Sequence, residues 1–241
     1  MTTDTRPIRE ALTCGVAAAL ACTRGMGRVM LSVSDKGTTH ERIGVVDRVV
    51  ADTTSVTLSG SAHDARIDLS IVTAVVVDRS GKMRDKAMPR LEFQDSAGTA
   101  LFSVIGLEGI EPFDQALAGV EPGTTLPEKL KPVPSGGGQA ADVDPEDVGA
   151  RPLHAARENG DTVSIIYRGN GLEQRWSGTI AEIKPMMGFF NIIQTDFHLH
   201  LKAGAVSRWR QEPTDVGVEL HAQDGEGRDI GLVLRGPANL S

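Results

Sequence analysis

From Phe197 the chain alternates apolar and polar, with Phe197, Leu199 and Leu201 on one side and His198, His200 and Lys202 on the other. That period of two is the pattern of a half-buried strand. Val29, Leu31 and Val33 repeat it across residues 28–34, closed by an Asp35-Lys36-Gly37 turn. Further short apolar runs predict strands at 45–50, 55–59, 67–77, 90–94 and 101–105, with turn residues at close intervals, as in an antiparallel meander. A second series is expected at 162–167, 173–183, 189–194, 197–201, 206–211, 217–222 and 229–234, and Gly169-Asn170-Gly171 reads as a hairpin turn. Ile8, Leu12, Val16 and Leu20 recur at helical spacing between Pro7 and Gly25, which predicts an N-terminal amphipathic helix. Shorter helices are expected at 112–117 and at 151–159, the latter ended by Gly160. His40-Glu41-Arg42 falls ahead of Ile43 as a polar loop, where a lone histidine reads as a surface or capping group.

The two series of strands echo one another. Residues 63–77 lie over 195–209 without a gap, 43–49 parallel 177–183, and 91–98 parallel 218–225. Three matches in one order imply a duplicated unit of roughly a hundred residues. The expected fold is therefore α+β, two tandem repeats of an antiparallel sheet module flanked by short helices. The first repeat, with the N-terminal helix, occupies 1–119 and the second 151–241. Between them, 120–150 carries Pro122, Pro127, Pro132 and Pro134, then Ser135-Gly136-Gly137-Gly138 and an acidic stretch, the composition of a linker that cannot build a core.

Composition narrows the function classes. A chain of 241 residues that is 40% hydrophobic can bury a sizeable core. A net charge of −7 and a pI near 5.4 argue against nucleic acid or an anionic membrane surface as the main partner. No apolar run is long enough to span a membrane. The only cysteines are Cys14 and Cys22, and a reducing compartment suits so few thiols. Asp4 and Glu10 offset Arg6 and Arg9 ahead of the Ala-rich run at 12–22, which is not the positive start of an export signal, so a cytoplasmic location is expected.

Among candidate chemical groups, His198 and His200 stand two residues apart on one strand face, roughly 6.5–7 Å from one another. Parallel imidazoles at that spacing are able to hold a metal or a haem iron, whereas the plainer reading is two polar residues on the wet face of an antiparallel sheet. No phosphate loop, paired zinc cysteines or nucleophile elbow is present. Asp224-Gly225-Glu226-Gly227 lacks the alternating carboxylates of a calcium loop and reads as a solvated turn.

Several segments together resemble the HemS/ChuX-type haem-utilisation family, also called haemin-degrading factors. They are Met26-Gly27-Arg28-Val29-Met30, His40-Glu41-Arg42-Ile43-Gly44-Val45, Leu91-Glu92-Phe93-Gln94-Asp95-Ser96-Ala97-Gly98, and Phe190-Asn191-Ile192-Ile193 through Phe197 to Lys202. The resemblance covers most of 26–119 and 150–236 and implies a duplicated antiparallel sheet, a cytoplasmic role in haem binding or trafficking, and haem as cofactor. The sequence departs from the family in its chemistry. The family's histidine-bearing helical connection is replaced by the short linker, its arginine ahead of the first strand-turn signature falls at Pro89 with Arg90 one place later, and its aromatic and basic ending is reduced to Leu232-Val233-Leu234-Arg235-Gly236-Pro237. A segment with tryptophan and histidine expected after Leu69 is shortened to Ile71-Val72-Thr73. The remaining haem-binding candidates are His154, His198 and His200 for iron and Arg90, Arg208 and Arg235 for the propionates. The partners expected are haem and a haem importer or another protein, with no nucleic acid. The doubt over the proximal ligand points to binding without efficient turnover, while few aromatics, the lost linker histidine and an acidic surface favour the alternative. The alternative is a degenerate structural or protein-interaction module that does not bind haem.

Overall fold

The computed structural model describes residues 6–129, 143, 144 and 146–240; the central part of the expected linker, 130–142 with residue 145, lies outside the described residues. The chain forms two compact units, one from 1–32 with 43–132 and one from 33–42 with 133–241. Short helices and antiparallel strands make both, an α+β fold.

In chain order the elements of the first half are β1 (Arg9–Ala11), α1 (Val16–Cys22), β2 (Arg28–Asp35), β3 (Thr38–Val45), β4 (Arg48–Ala51), β5 (Ser55–Ser59), β6 (Asp64–Asp68), β7 (Ala74–Asp78), β8 (Lys82–Met83), β9 (Lys86–Ala87), β10 (Arg90–Gln94), β11 (Ala100–Gly106), α2 (Ile110–Ala116) and β12 (Thr124–Thr125). The first unit arranges β12-β1-β7-β10-β11-β2 as one antiparallel sheet and β4-β5-β6 as another. Phe93 and Phe102 stack 4.7 Å apart across β10 and β11. The expected N-terminal helix begins only at Val16, because residues 9–11 pair with β7 and β12 as a strand. Burial of a charge fixes that strand: Glu10, fully buried, meets the Arg79 guanidinium at 2.8 Å, and Arg79 also reaches Asp114 at 2.8 Å. The strand expected over 67–77 is broken between β6 and β7, where the Asp68 carboxylate accepts the Ser70 N–H at 2.8 Å and turns the chain.

The second unit begins with the hairpin 33–42, which joins the end of β2 to β3 through Lys36 and Gly37, both at positive φ. It continues with α3 (Arg151–Asn159), β13 (Thr162–Gly169), β14 (Leu172–Thr179), β15 (Lys184–Met186), β16 (Phe189–Ile193), β17 (Phe197–Lys202), β18 (Arg208–Thr214), β19 (Gly217–Gln223) and β20 (Asp229–Gly236). Its sheets run β18-β19-β20-β13-β14 and β3-β17-β16-β15. The strand order of the first unit recurs here, β7-β10-β11-β2 matching β18-β19-β20-β13 and β4-β5-β6 matching β15-β16-β17. Pro152 sits in the first turn of α3 and Gly160 ends it in the left-handed region, as the sequence predicts.

One core serves both sheets of the second unit: Phe197, Leu199 and Leu201 of β17 with Phe190, Trp176, Ile165, Leu220, Leu234 and Leu153 of α3. Phe197 stacks on Trp176 at 4.7 Å and meets the His40 ring edge-on at 5.0 Å. His40 is therefore no loop residue. β3 runs through it, alternating Thr38, His40 and Arg42 inward with Thr39 and Glu41 outward, because pairing with β17 supplies the backbone partners that a polar stretch does not reveal by itself. Burial pushes the His40 imidazole down to about 4, so it stays neutral, with Nε2 3.1 Å from the Ile165 carbonyl. No helix among the described residues is long and apolar enough to cross a membrane.

Phe197→Ala is expected to cost about 3–5 kcal/mol of stability, since it removes a ring packed against Trp176 and His40 and leaves a cavity. Ile193→Ala, on a side chain 51% exposed one strand away, should change stability by under about 0.5 kcal/mol. Urea denaturation of the two variants beside the unmodified protein checks both.

Candidate functional site

The β17 alternation that buries Phe197, Leu199 and Leu201 turns His198 and His200 to the opposite face, where β3 brings Glu41 directly across from His198. His198 Nδ1 lies 3.2 Å and His200 Nε2 3.9 Å from Glu41 Oε2. One ligand atom from each of the three residues lies within 4.8 Å of the other two. On the far side of β17, Asn191 of β16 pairs with His200, and its Oδ1 sits 2.6 Å from His200 Nδ1. The Asn191 amide is fixed in that sense because its Nδ2 donates to the carbonyls of Lys184, Met186 and Phe189 at 2.9, 3.3 and 3.1 Å. An acceptor at Nδ1 places the imidazole proton there and leaves the Nε2 lone pair directed to Glu41. Burial holds His200 below the ordinary histidine value, against the pull of Glu41 and reinforced by His198. Thr39, Met186, Met187 and Phe189 complete a pocket of about 340 Å³ over His200 and Asn191. The two-residue turn Met187-Gly188, both at positive φ, carries Met187 out at its edge.

His154 occupies a different place. It lies on α3, half-buried, with its ring edge-on to Phe190 at 6.2 Å. Phe190 and Asn191 are neighbours on β16 and face opposite ways, Phe190 into the core and Asn191 toward His200, so His154 and the His198–His200 pair occupy opposite faces of that strand and do not converge on one iron. His154 lines a recess of about 530 Å³ with Arg151, Ala155, Arg157, Glu158, Val143, Glu146, Pro185 and Phe190. Arg151 and Arg157 stand three residues before and after it, one turn away on each side. Among the described residues no hydrogen bond or ion pair engages the His154 imidazole, whose ring contact is with Phe190. A second pocket of about 290 Å³ shares Arg151 and Ala155 with this recess and adds Trp209, Leu220 and Leu240.

Arg208 and Arg235 are each hydrogen-bonded elsewhere, and Arg90 belongs to the first unit. Arg90, on β10 of the first unit, faces Asp78 across the strand pair and helps hold that carboxyl low, after two hydrogen bonds from Ser80 that oppose its burial. Arg208 donates to Gln223 Oε1 at 2.7 Å, and Arg235 to Glu219 Oε2 at 3.0 Å. Neither Arg208 nor Arg235 lines the His154 recess. The cations that do, Arg151 and Arg157, are not among the candidates the sequence offered, although their helical spacing about His154 is a signal that could have found them. Glu41 and Asn191 carried no such signal, because only long-range strand pairing brings them to the histidines.

No protein-family model matches the sequence, and no curated protein matches it. Solved structures do match. ChuS of Escherichia coli, described as a haem oxygenase, superposes with a TM-score of 0.75 at 19% identity, covering 95% of this chain and 83% of its own. PhuS of Pseudomonas aeruginosa, described as a haem-binding protein, matches at 18% identity in its apo form, with a TM-score of 0.72, covering 95% of this chain and 81% of its own. Its holo form gives a TM-score of 0.74, again at 18% identity, with 95% and 82% covered. Identity this low establishes a shared fold, and at that level the HemS/ChuX resemblance carried by the sequence motifs is met.

Proposed function

We propose that this protein binds haem in the recess beside α3, with His154 as the iron ligand and Arg151 and Arg157 as the partners of the propionates, and that it serves as a cytoplasmic haem carrier. The observation that carries this reading is the His154 imidazole, which has no hydrogen-bond partner among the described residues and lines a recess with Phe190, Arg151 and Arg157, the last 3.6 Å from Glu158. A haem site needs those parts: a nitrogen ligand, an aromatic or apolar wall for the macrocycle, and cations for two carboxylates. The recess volume of about 530 Å³ falls in the range of sites for ligands of that size. The shared fold with haem-binding PhuS and with ChuS supports it. Bound haem would supply an iron centre; the chain's own contribution is to hold it and orient its carboxylates.

Titration of the protein with haemin should produce a Soret band distinct from free haemin. His154→Ala should weaken binding at least about tenfold and change that band, whereas His198→Ala should leave both in place. Arg151→Ala and Arg157→Ala should each weaken binding by about tenfold, the loss of one charge-assisted hydrogen bond. A spectrum identical to free haemin would sink the reading.

The polar groups of the recess favour carriage over cleavage. Glu146 and Glu158 are exposed, and no buried donor faces His154 among the residues lining it, whereas oxidative ring cleavage needs dioxygen held by placed polar groups. Reducing the haemin complex with ascorbate in air, with catalase present, should leave the Soret band intact. Catalase-resistant decay with release of biliverdin or carbon monoxide would show turnover.

A further inference from the structure

We infer that Glu41, His198 and His200 form a binding site for one divalent transition-metal ion, with zinc as the simplest occupant, opening into the pocket beside Met186, Met187 and Phe189. The donors are the set such ions select, two imidazoles and a carboxylate. Tetrahedral coordination at about 2.0–2.1 Å sets ligand atoms about 3.3 Å apart. Two of the edges here, from Glu41 Oε2 to His198 Nδ1 and to His200 Nε2, are 3.2 and 3.9 Å, and every edge is within 4.8 Å. A small side-chain rotation closes the set around an ion without moving the strands.

Asn191 makes this more than a pair of surface histidines near a carboxylate. Three backbone carbonyls accept from its Nδ2, so its Oδ1 faces His200 Nδ1 at 2.6 Å and leaves Nε2 as the metal-binding atom. Holding a ligating imidazole by its other nitrogen is the usual outer support of a metal site. Asn191 is 4% exposed and is a positioning residue. The rigid register of β16, β17 and β3 places the donors, since His200 pairs with Asn191 on one side and His198 with Glu41 on the other. Three protein ligands leave further coordination positions, and those on the His200 side face the pocket of about 340 Å³. This site does not depend on the haem reading, because it lies on the opposite face of β16 from His154.

The test is zinc titration of chelator-treated full-length protein, followed by calorimetry and by competition with a chromophoric chelator. One zinc per chain is expected, unaffected by excess Mg²⁺, and Co²⁺ in its place should give visible ligand-field bands. His198→Ala and His200→Ala should each weaken zinc at least about a hundredfold while haemin binding persists. Asn191→Ala should weaken zinc about 10–100-fold. In the metal-free protein, long-range ¹H–¹⁵N spectra should show His200 protonated at Nδ1, and Asn191→Ala should move that proton toward Nε2, a change that loss of packing alone would not produce. Circular dichroism establishes that each variant is folded. Absence of stoichiometric zinc binding by the folded wild-type protein, or affinity unchanged in the His198→Ala/His200→Ala double variant, would overturn the inference; loss of haemin binding alone would leave it standing.

Discussion

The second unit depends on the register of β17 against β3, set residue by residue from Phe197 opposite Arg42 to Leu201 opposite Thr38. The pleat then admits one distribution of side chains: Phe197, Leu199 and Leu201 go to the core and His198 and His200 to the other face. Slipping the pair by one residue would drive both imidazoles into the apolar core and expose three large apolar groups, so the hydrophobic effect enforces the same register that aligns His198 with Glu41. Stability and candidate chemistry thus share a single cause. The inward residues of β3 meet the same demand. His40 is accommodated as a neutral ring because its Nε2 reaches the Ile165 carbonyl and its edge meets Phe197, while the buried Arg42 pairs with Asp196 at 3.3 Å.

Opposite faces of one thin sheet therefore present different environments. On the α3 side, the rings of Phe190 and His154 meet edge-on in a recess also lined by Arg151, Arg157, Glu146 and Glu158. On the other side, Asn191, the next residue, orients an imidazole beside a carboxylate, suited to a bare cation. Each site has its own donors and its own charge. Arg151 and Arg157 share the His154 recess with Glu146 and Glu158, whereas Glu41 lies beside His198 and His200.

The recurring strand order shows how little of a fold its chemistry has to carry. β4-β5-β6 and β15-β16-β17 occupy matching places in the two units, yet β6 bears Asp64, Arg66 and Asp68 on its exposed face where β17 bears His198 and His200. Apolar positions are held by burial, while outward positions are free to diverge. The same separation lets the chain share its architecture with ChuS and PhuS at 18–19% identity.

Local pattern was enough wherever a segment's own alternation or caps decide its structure. The helix at 151–159, the strands at 55–59 and 90–94, the Asn170-Gly171 turn and the facing of His198 and His200 all follow from period, turn residues and glycine at positive φ. The arginines about His154 were missed in favour of Arg90, Arg208 and Arg235, because nothing in the sequence shows which cations line the same recess. Tertiary structure alone decided what depends on partners distant along the chain. Residues 9–11 are a strand because Glu10 is buried against Arg79, some seventy places on. His40 is interior because β17 pairs with β3, and Glu41 meets His198 through that same pairing. Asn191 orients His200 only because the β16–β17 hairpin sets them side by side. Period and turn chemistry act over a few residues and are written in the sequence, whereas burial and cross-strand contact are properties of the packed chain, and no single stretch contains both halves of such an interaction.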